Sequence, residues 1–193
     1  MTAQGSGPVT SKTEGFIIAG GKSSRFGSDK ALATWNGRPL LAYAIAALKA
    51  LDLTPRIVAR DSLPYFAFAE AFVTSERPDL GPLEGIRVAL KSSSHEFALI
   101  LTADMPRVNK THLQRLLASH AAETAVVFVS EDKTRHPFPG LYPRSAFTII
   151  ESLAPGSSVQ ALLDRIPLRE LKPDAETVGA LFGVNTPEDL RSL

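Results

Sequence analysis

The stretch Gly15-Phe16-Ile17-Ile18-Ala19-Gly20-Gly21-Lys22-Ser23-Ser24-Arg25-Phe26-Gly27-Ser28-Asp29-Lys30 decides the fold class. Phe16 to Ala19 is a short apolar run that ends in two glycines, the pattern of a buried strand feeding a loop. The loop itself, Gly20 to Lys30, combines three glycines with three cations. Glycine lets backbone N–H groups approach phosphate oxygens with no Cβ in the way, and Arg25 and Lys30 can neutralise phosphate charge. Each charge-assisted hydrogen bond of that kind contributes roughly 1.5–3 kcal/mol. A solvated turn after a strand has the same composition, so the reading needs support from the rest of the chain.

Outward from this loop, helical and strand patterns alternate. Pro39 suits a first helical turn, and Leu40, Leu41, Ala44, Ile45, Leu48 and Leu51 recur at helical spacing after the Asn36-Gly37 turn. A strand at Arg56 to Ala59, a short helix near Tyr65 to Ala69, a strand at Phe72-Val73 and a helix after Pro82 follow. Then come a strand at Phe97 to Leu101, a helix from about Lys110 to Ser119 and a strand at Ala125 to Val129. Such alternation predicts a single α/β domain, a mostly parallel sheet flanked by helices. Ligands bind outside the carboxyl ends of such strands. Gly20 to Lys30, Gly81 to Gly85 and Thr102 to Pro106 are therefore expected on one rim. Beyond Ser130, prolines at 137, 139, 143, 155, 167 and 173 break the regularity, and shorter elements covering one side of the site are expected there.

With 193 residues, 44% apolar and 21% charged, the chain is sized for one domain, expected over residues 15–193. Residues 1–14, rich in Gly, Ser and Thr, read as a mobile tail. A net charge of +1 gives no electrostatic footprint for nucleic acid and favours a small substrate. The absence of cysteine excludes disulfides, Cys-ligated zinc and thiol catalysis. No run approaches the length of a membrane span, and the first residues lack an apolar signal core, so the expected location is the cytoplasm.

Two common phosphate loops fail on spacing. The glycine that a P-loop needs five positions before Gly21 is Phe16, and Gly20, Gly21 and Gly27 do not make Gly-x-Gly-x-x-Gly. Asp104 follows the apolar run Leu99-Ile100-Leu101 closely and places a hard oxygen at the rim, able to hold magnesium against a triphosphate or, equally, to cap a turn before Pro106. Gly81-Pro82-Leu83-Glu84-Gly85 has turn-then-helix character, whose N-terminus suits an anion or a base pocket as well as a plain helix entry. His136 alone reads as a structural histidine, and Thr186-Pro187-Glu188-Asp189 as an ordinary helix start.

Taken in order, Ile18-Ala19-Gly20-Gly21 through Lys30, Gly81 to Gly85, Asp104-Met105-Pro106, His136-Pro137 through Tyr142 and Asn185-Thr186-Pro187-Glu188-Asp189-Leu190 resemble the molybdenum cofactor guanylyltransferases. The resemblance spans Gly15 to Leu190. It implies a Rossmann-like nucleotidyltransferase fold that joins GMP from GTP to the terminal phosphate of molybdopterin and releases pyrophosphate. It also implies that Ile18, Ala19, Gly20 and Gly21 lie against the nucleotide with Gly81, Pro82, Leu83 and Gly85. Lys30 and Arg25 then act on the phosphates and Asp104 holds Mg²⁺. His136, Pro137, Ser157 and Asn185 fall where the family receives the pterin. Molybdenum-insertion or molybdoenzyme maturation proteins are the implied protein partners, with neither nucleic acid nor membrane. Related cytidylyltransferases tend to have Ala-Ala-Gly where this chain has Ala19-Gly20-Gly21, which leans the base towards guanine.

The chain departs from that pattern in places. Ala59 and Arg60 stand where the family usually has asparagine, Ser75 and Glu76 where it has aspartate, and Gly183 where it often has the first asparagine of Asn-x-Asn-Thr-Pro. Ala103 replaces a frequent cysteine. Fold and loop do not fix the acceptor, which leaves open a nucleotidyltransferase for a cytidylyl or sugar-phosphate reaction, and the departures leave open a GTP-binding adaptor without turnover.

Overall fold

The computed structural model describes residues 9–19, 29–68, 71–75, 77 and 81–193. Its first strand, β1 (Thr13–Ile18), is buried over Phe16 and Ile17. A hairpin of β2 (Thr34–Trp35) and β3 (Arg38–Pro39) turns through Asn36 and Gly37, both at positive φ. It leads into α1 (Leu40–Lys49), whose buried Leu40, Leu41, Ala44, Ile45 and Leu48 form the stripe expected from their spacing. Strands β4 (Pro55–Ala59) and β5 (Ala71–Thr74) precede α2 (Pro82–Ser92), which opens with Pro82 after Gly81 at φ 76. Next come β6 (Phe97–Thr102) and α3 (Lys110–Ala118), the latter started by a reciprocal Asn109–His112 capping box. The remainder comprises β7 (Ala125–Val129), β8 (Arg135–Pro143), α4 (Ala146–Glu151), α5 (Val159–Leu163), β9 (Leu168–Leu171), α6 (Ala175–Ala180) and α7 (Pro187–Arg191).

Among the described residues, seven strands form one sheet in the order β5-β4-β1-β6-β8-β7-β9. All neighbours pair in parallel except β8, which runs antiparallel between β6 and β7. The result is the mostly parallel, helix-flanked α/β domain that the sequence implies. Because β1, β4, β5 and β6 share one direction, Ile18, Ala59, Thr74 and Thr102 end on one rim. The core spans both faces of the sheet, with Phe16, Ile57, Leu99, Ile100 and Phe128 fully buried.

Three expectations are corrected. First, residues 9–14 are not tail. Val9–Lys12 form a 3-10 turn, Thr13 is 3% exposed, and Glu14 accepts hydrogen bonds from Ser93 Oγ (2.6 Å) and the Ser94 amide (2.9 Å) and pairs with Arg56. Burial raises the Glu14 carboxyl, but these partners outweigh it and hold the group below its ordinary pKa. The rest of the expected tail, residues 1–8, lies outside the described residues.

Second, the short helix expected near Tyr65 to Ala69 is of the 3-10 kind and begins earlier, and Ala69 lies outside the described residues. Leu63–Tyr65 form a 3-10 turn extended by a Phe68-to-Tyr65 backbone bond.

Third, the proline-rich block 135–143 is the longest strand among the described residues and lies inside the sheet. Proline has no N–H for the ladder. The β7–β8 register accommodates this by shifting between Val127 and Phe128: Phe128 pairs with His136 and Val127 with Gly140, leaving Pro137, Phe138 and Pro139 opposite no partner. A Cβ on Gly140 would meet the Pro137 carbonyl oxygen at 2.5 Å and the Tyr142 ring at 2.7 Å, so this bulge requires glycine. The elements after Pro143 are short, as expected.

Candidate functional site

The rim where β1 and β6 end carries the cluster. Pairing of these strands continues one residue past their ends, with the Ala103 amide donating to the Ile18 carbonyl (3.1 Å). On the other side of β1, the Ala19 amide donates to the Val58 carbonyl (2.8 Å). Asp104 therefore leaves the sheet beside the start of the glycine-rich loop. Lys30, at the loop's far end, opens a 3-10 turn, Lys30–Leu32, capped by Asp29, whose Oδ1 accepts from the Ala31 amide at 3.0 Å.

The Lys30 ammonium reaches Asp104 Oδ2 at 2.5 Å and Asn185 Oδ1 at 3.3 Å. Asn185 arrives because the Val184 amide donates to the Asp104 carbonyl (2.9 Å), docking the segment before α7 onto the turn after β6. The Asn185 amide nitrogen donates to the Gly183 carbonyl (3.0 Å), which turns its oxygen towards Lys30. A capping box between Thr186 and Asp189 holds the following turn, and Asp189 also accepts from the Asn185 amide (2.8 Å). Residues 74, 81 and 155 positions apart from their partners thus share one site only because the sheet brings their loops together.

Two hard oxygens, from Asp104 and Asn185, are aimed at one cation position that the Lys30 ammonium fills. That donor set fits a hard divalent cation. Among the described residues no three acidic or histidine side chains converge, so such a cation would draw its remaining ligands from substrate oxygens and water.

Around the cluster, Gly85 packs directly on Ile18: a Cβ there would come within 2.6 Å of Ile18 Cδ1. Both residues were expected against the nucleotide, and the structure brings them against each other. Leu83 is buried, and Gly81 with Pro82 starts α2 facing the rim. Ser75 donates to Glu84 Oε1 (2.6 Å), while Arg87 grips Glu84 through Nε (2.7 Å) and a terminal nitrogen (2.8 Å). Burial pushes the Glu84 carboxyl up, but the bonds from Arg87 and Ser75 prevail and hold it below its usual value. The hydroxyl at the position of the family's aspartate is thus committed to a buried ion pair. Arg60 is exposed after β4, and position 183 faces Asp104 at 3.6 Å. Gly20, Gly21, Arg25 and Glu76 lie outside the described residues.

The residues expected to receive the pterin separate. Asn185 joins Lys30 and Asp104. His136 and Pro137 begin β8, which pairs Gly140 with Ile100 and runs back past the carboxyl end of β6, so they lie on the same rim. His136 Nε2 meets Ser130 Oγ at 2.6 Å, and burial holds its imidazole below the ordinary pKa despite the charge of Asp132. Ser157 spends its hydroxyl on the Ala154 carbonyl (2.7 Å) in the turn before α5. Tyr65 and Asp29, which no sequence motif joins, are in contact as well. Asp29 stood beside Lys30 in the quoted loop, but no spacing rule ties it to a tyrosine 36 residues away.

An α/β domain with a glycine-rich loop after β1, and with a lysine, an aspartate and an amide converging at the strands' carboxyl ends, has the architecture of a nucleotidyltransferase. The chain belongs to the MobA-like NTP transferase domain family, which matches residues 15–171. It is 32% identical over 185 residues to the probable molybdenum cofactor guanylyltransferase of Flavobacterium johnsoniae, covering 92% of this chain and 94% of that one. To the probable molybdenum cofactor guanylyltransferase of Haloferax mediterranei it is 33% identical over 208 residues, covering 100% and 98%. Among solved structures it is similar to molybdopterin-guanine dinucleotide biosynthesis protein A from Archaeoglobus fulgidus, with a TM-score of 0.78 and 20% identity over 93% of this chain and 95% of that chain. The last likeness concerns the fold.

Proposed function

We propose that this protein transfers GMP from GTP to the terminal phosphate of molybdopterin and releases pyrophosphate, with Mg²⁺ held at Asp104. The observation that carries the proposal is the Lys30 ammonium between Asp104 Oδ2 and Asn185 Oδ1 at the end of the glycine-rich loop. Relatives named for this activity match over nearly the whole chain, and Ala19-Gly20-Gly21 favours guanine.

The attacking phosphate oxygen is already anionic, so no general base is required. The protein's work is to align that oxygen with the α-phosphorus and to reduce repulsion between two anions. Lys30 stabilises the negative charge that grows on the phosphate oxygens. A divalent cation at Asp104, when bound, adds charge neutralisation on the phosphates. Gly20, Gly21 and Arg25 enter this proposal from sequence alone. Ile18, Ala19, Gly81, Pro82, Leu83 and Gly85 shape the nucleotide side of the rim, Gly85 and Ile18 through their mutual packing. His136, Pro137, Ser157 and Asn185 belong to the pterin side. Delivery to or from molybdenum-insertion or maturation proteins, in the cytoplasm, completes the reading; among the described residues no helix is long and apolar enough to cross a membrane.

A nucleotide panel with pyrophosphate release as readout, with and without molybdopterin, tests it. Asp104→Asn is expected to abolish product while GTP binding stays within about tenfold. Lys30→Ala is expected to weaken GTP far more than guanosine. Turnover with CTP or a sugar phosphate, and none with GTP plus molybdopterin, would overturn the proposal, as would GTP binding without turnover on any acceptor.

A further inference from the structure

We infer that Tyr65 is a positioning residue for Lys30 and acts through Asp29; the inference rests on the reading of Lys30 as the phosphate-binding cation. Tyr65 is 2% exposed and ends the 3-10 turn on the loop leaving β4. Strand β4 is a neighbour of β1, and this loop comes into contact with Asp29. The Tyr65 hydroxyl donates to Oδ2 of Asp29. The other oxygen of the same carboxylate accepts from the Ala31 amide at 3.0 Å. One oxygen is thus tied to a buried phenol in a separate part of the fold, and the other to the turn that Lys30 opens.

Two backbone bonds close that turn, Leu32 to the Asp29 carbonyl and Ala33 to the Lys30 carbonyl, both at 3.1 Å. The Cα of Lys30 therefore cannot move without moving Asp29, and Asp29 is held by Tyr65. A lysine side chain is long and flexible, so where its ammonium sits depends on where its Cα is fixed. Burial and the Asp29 carboxylate push the phenol's pKa up, so the hydroxyl remains a donor throughout the range in which the protein works. A phenol that merely filled space would need no oxygen here; a buried hydroxyl aimed at the carboxylate preceding Lys30 serves to fix it.

Tyr65→Phe keeps the ring and removes the donor. Asp29→Ser keeps an N-cap for the turn, but its shorter side chain does not reach Tyr65. Binding of GTP and of guanosine, each with magnesium, is measured for the full chain and both variants. Each variant is expected to bind GTP about tenfold more weakly and guanosine within about twofold of the parent. The double variant is expected to lose no more than the weaker single, because both remove one link. Unchanged GTP binding would overturn the inference. So would an equal loss for GTP and guanosine, since that marks a structural role alone. Should Tyr65→Phe fail to fold, Asp29→Ser carries the same comparison with the same overturning results. If the parent binds CTP in place of GTP, the guanine assignment fails, and CTP with cytidine takes over the comparison under the same two outcomes.

Discussion

A Cβ at position 183 would stand 3.6 Å from Oδ2 of Asp104 and 3.8 Å from its Cγ, ordinary contact distances, and the backbone there is outside the left-handed region. Glycine is therefore a choice at this position and not a steric demand. Gly183→Asn is expected to fold normally and to bring an amide oxygen beside the Asp104 carboxylate. A manganese titration in the presence of GTP should then show roughly three- to tenfold tighter metal binding. No change would mean that a side chain at 183 does not reach the cation. At this scale the sequence was legible for Lys30 and Asp104, because a cation in a glycine-rich loop and a carboxylate closely following a strand each carry their own signal. Asn185, assigned by resemblance to the pterin side, stands beside Lys30. Its place depends on one backbone bond, Val184 to Asp104, that no local pattern encodes. Tyr65 was silent for the same reason.

Among the elements, α2 and β1 meet through Gly85. In Gly85→Ala the new methyl would sit 2.6 Å from Ile18 Cδ1 and 2.9 Å from Cγ1, so the helix must lift or Ile18 must rotate. Urea unfolding should show a loss of about 1–3 kcal/mol. Adding Ile18→Val, which removes the nearest atom, should restore part of it; no recovery would locate the cost elsewhere. The parallel strands of the first 130 residues were legible because strands buried on both faces read as continuous apolar runs bounded by glycine or proline. Strand β8 was not, because its prolines argue against an interior strand. What makes room for them is a bulge within β8, where Pro137, Phe138 and Pro139 stand between the residues paired with Phe128 and Val127, and the pairing that defines it is set by the neighbouring strand. The short helix near Tyr65 was legible but its bounds and 3-10 character were not, since three or four residues carry too little periodicity to fix them.

For the molecule as a whole, acid is the natural stress. Glu84, 7% exposed, is ionised against Arg87, and its pKa lies below the ordinary 4.5. A carboxyl with a depressed folded-state pKa contributes stability above its unfolded value and loses it as pH falls through the folded one, so the window lies below 4.5. His136 adds to the trend earlier: its pKa lies below 6.5, so protonation opposes the fold as pH drops under that value. Unfolding free energies at about pH 7 and about pH 4 should differ, and Glu84→Gln should lower the first and shrink the difference. An undiminished difference would show that Glu84 does not carry the acid sensitivity. The docking of Val184 on Asp104 separates the scaffold from the completion of the site. The last strand of the sheet, β9, ends at Leu171, and Asn185 joins the cluster from beyond it. The scaffold can therefore be complete while the cluster is not, because the amide that meets Lys30 comes from a segment outside the sheet.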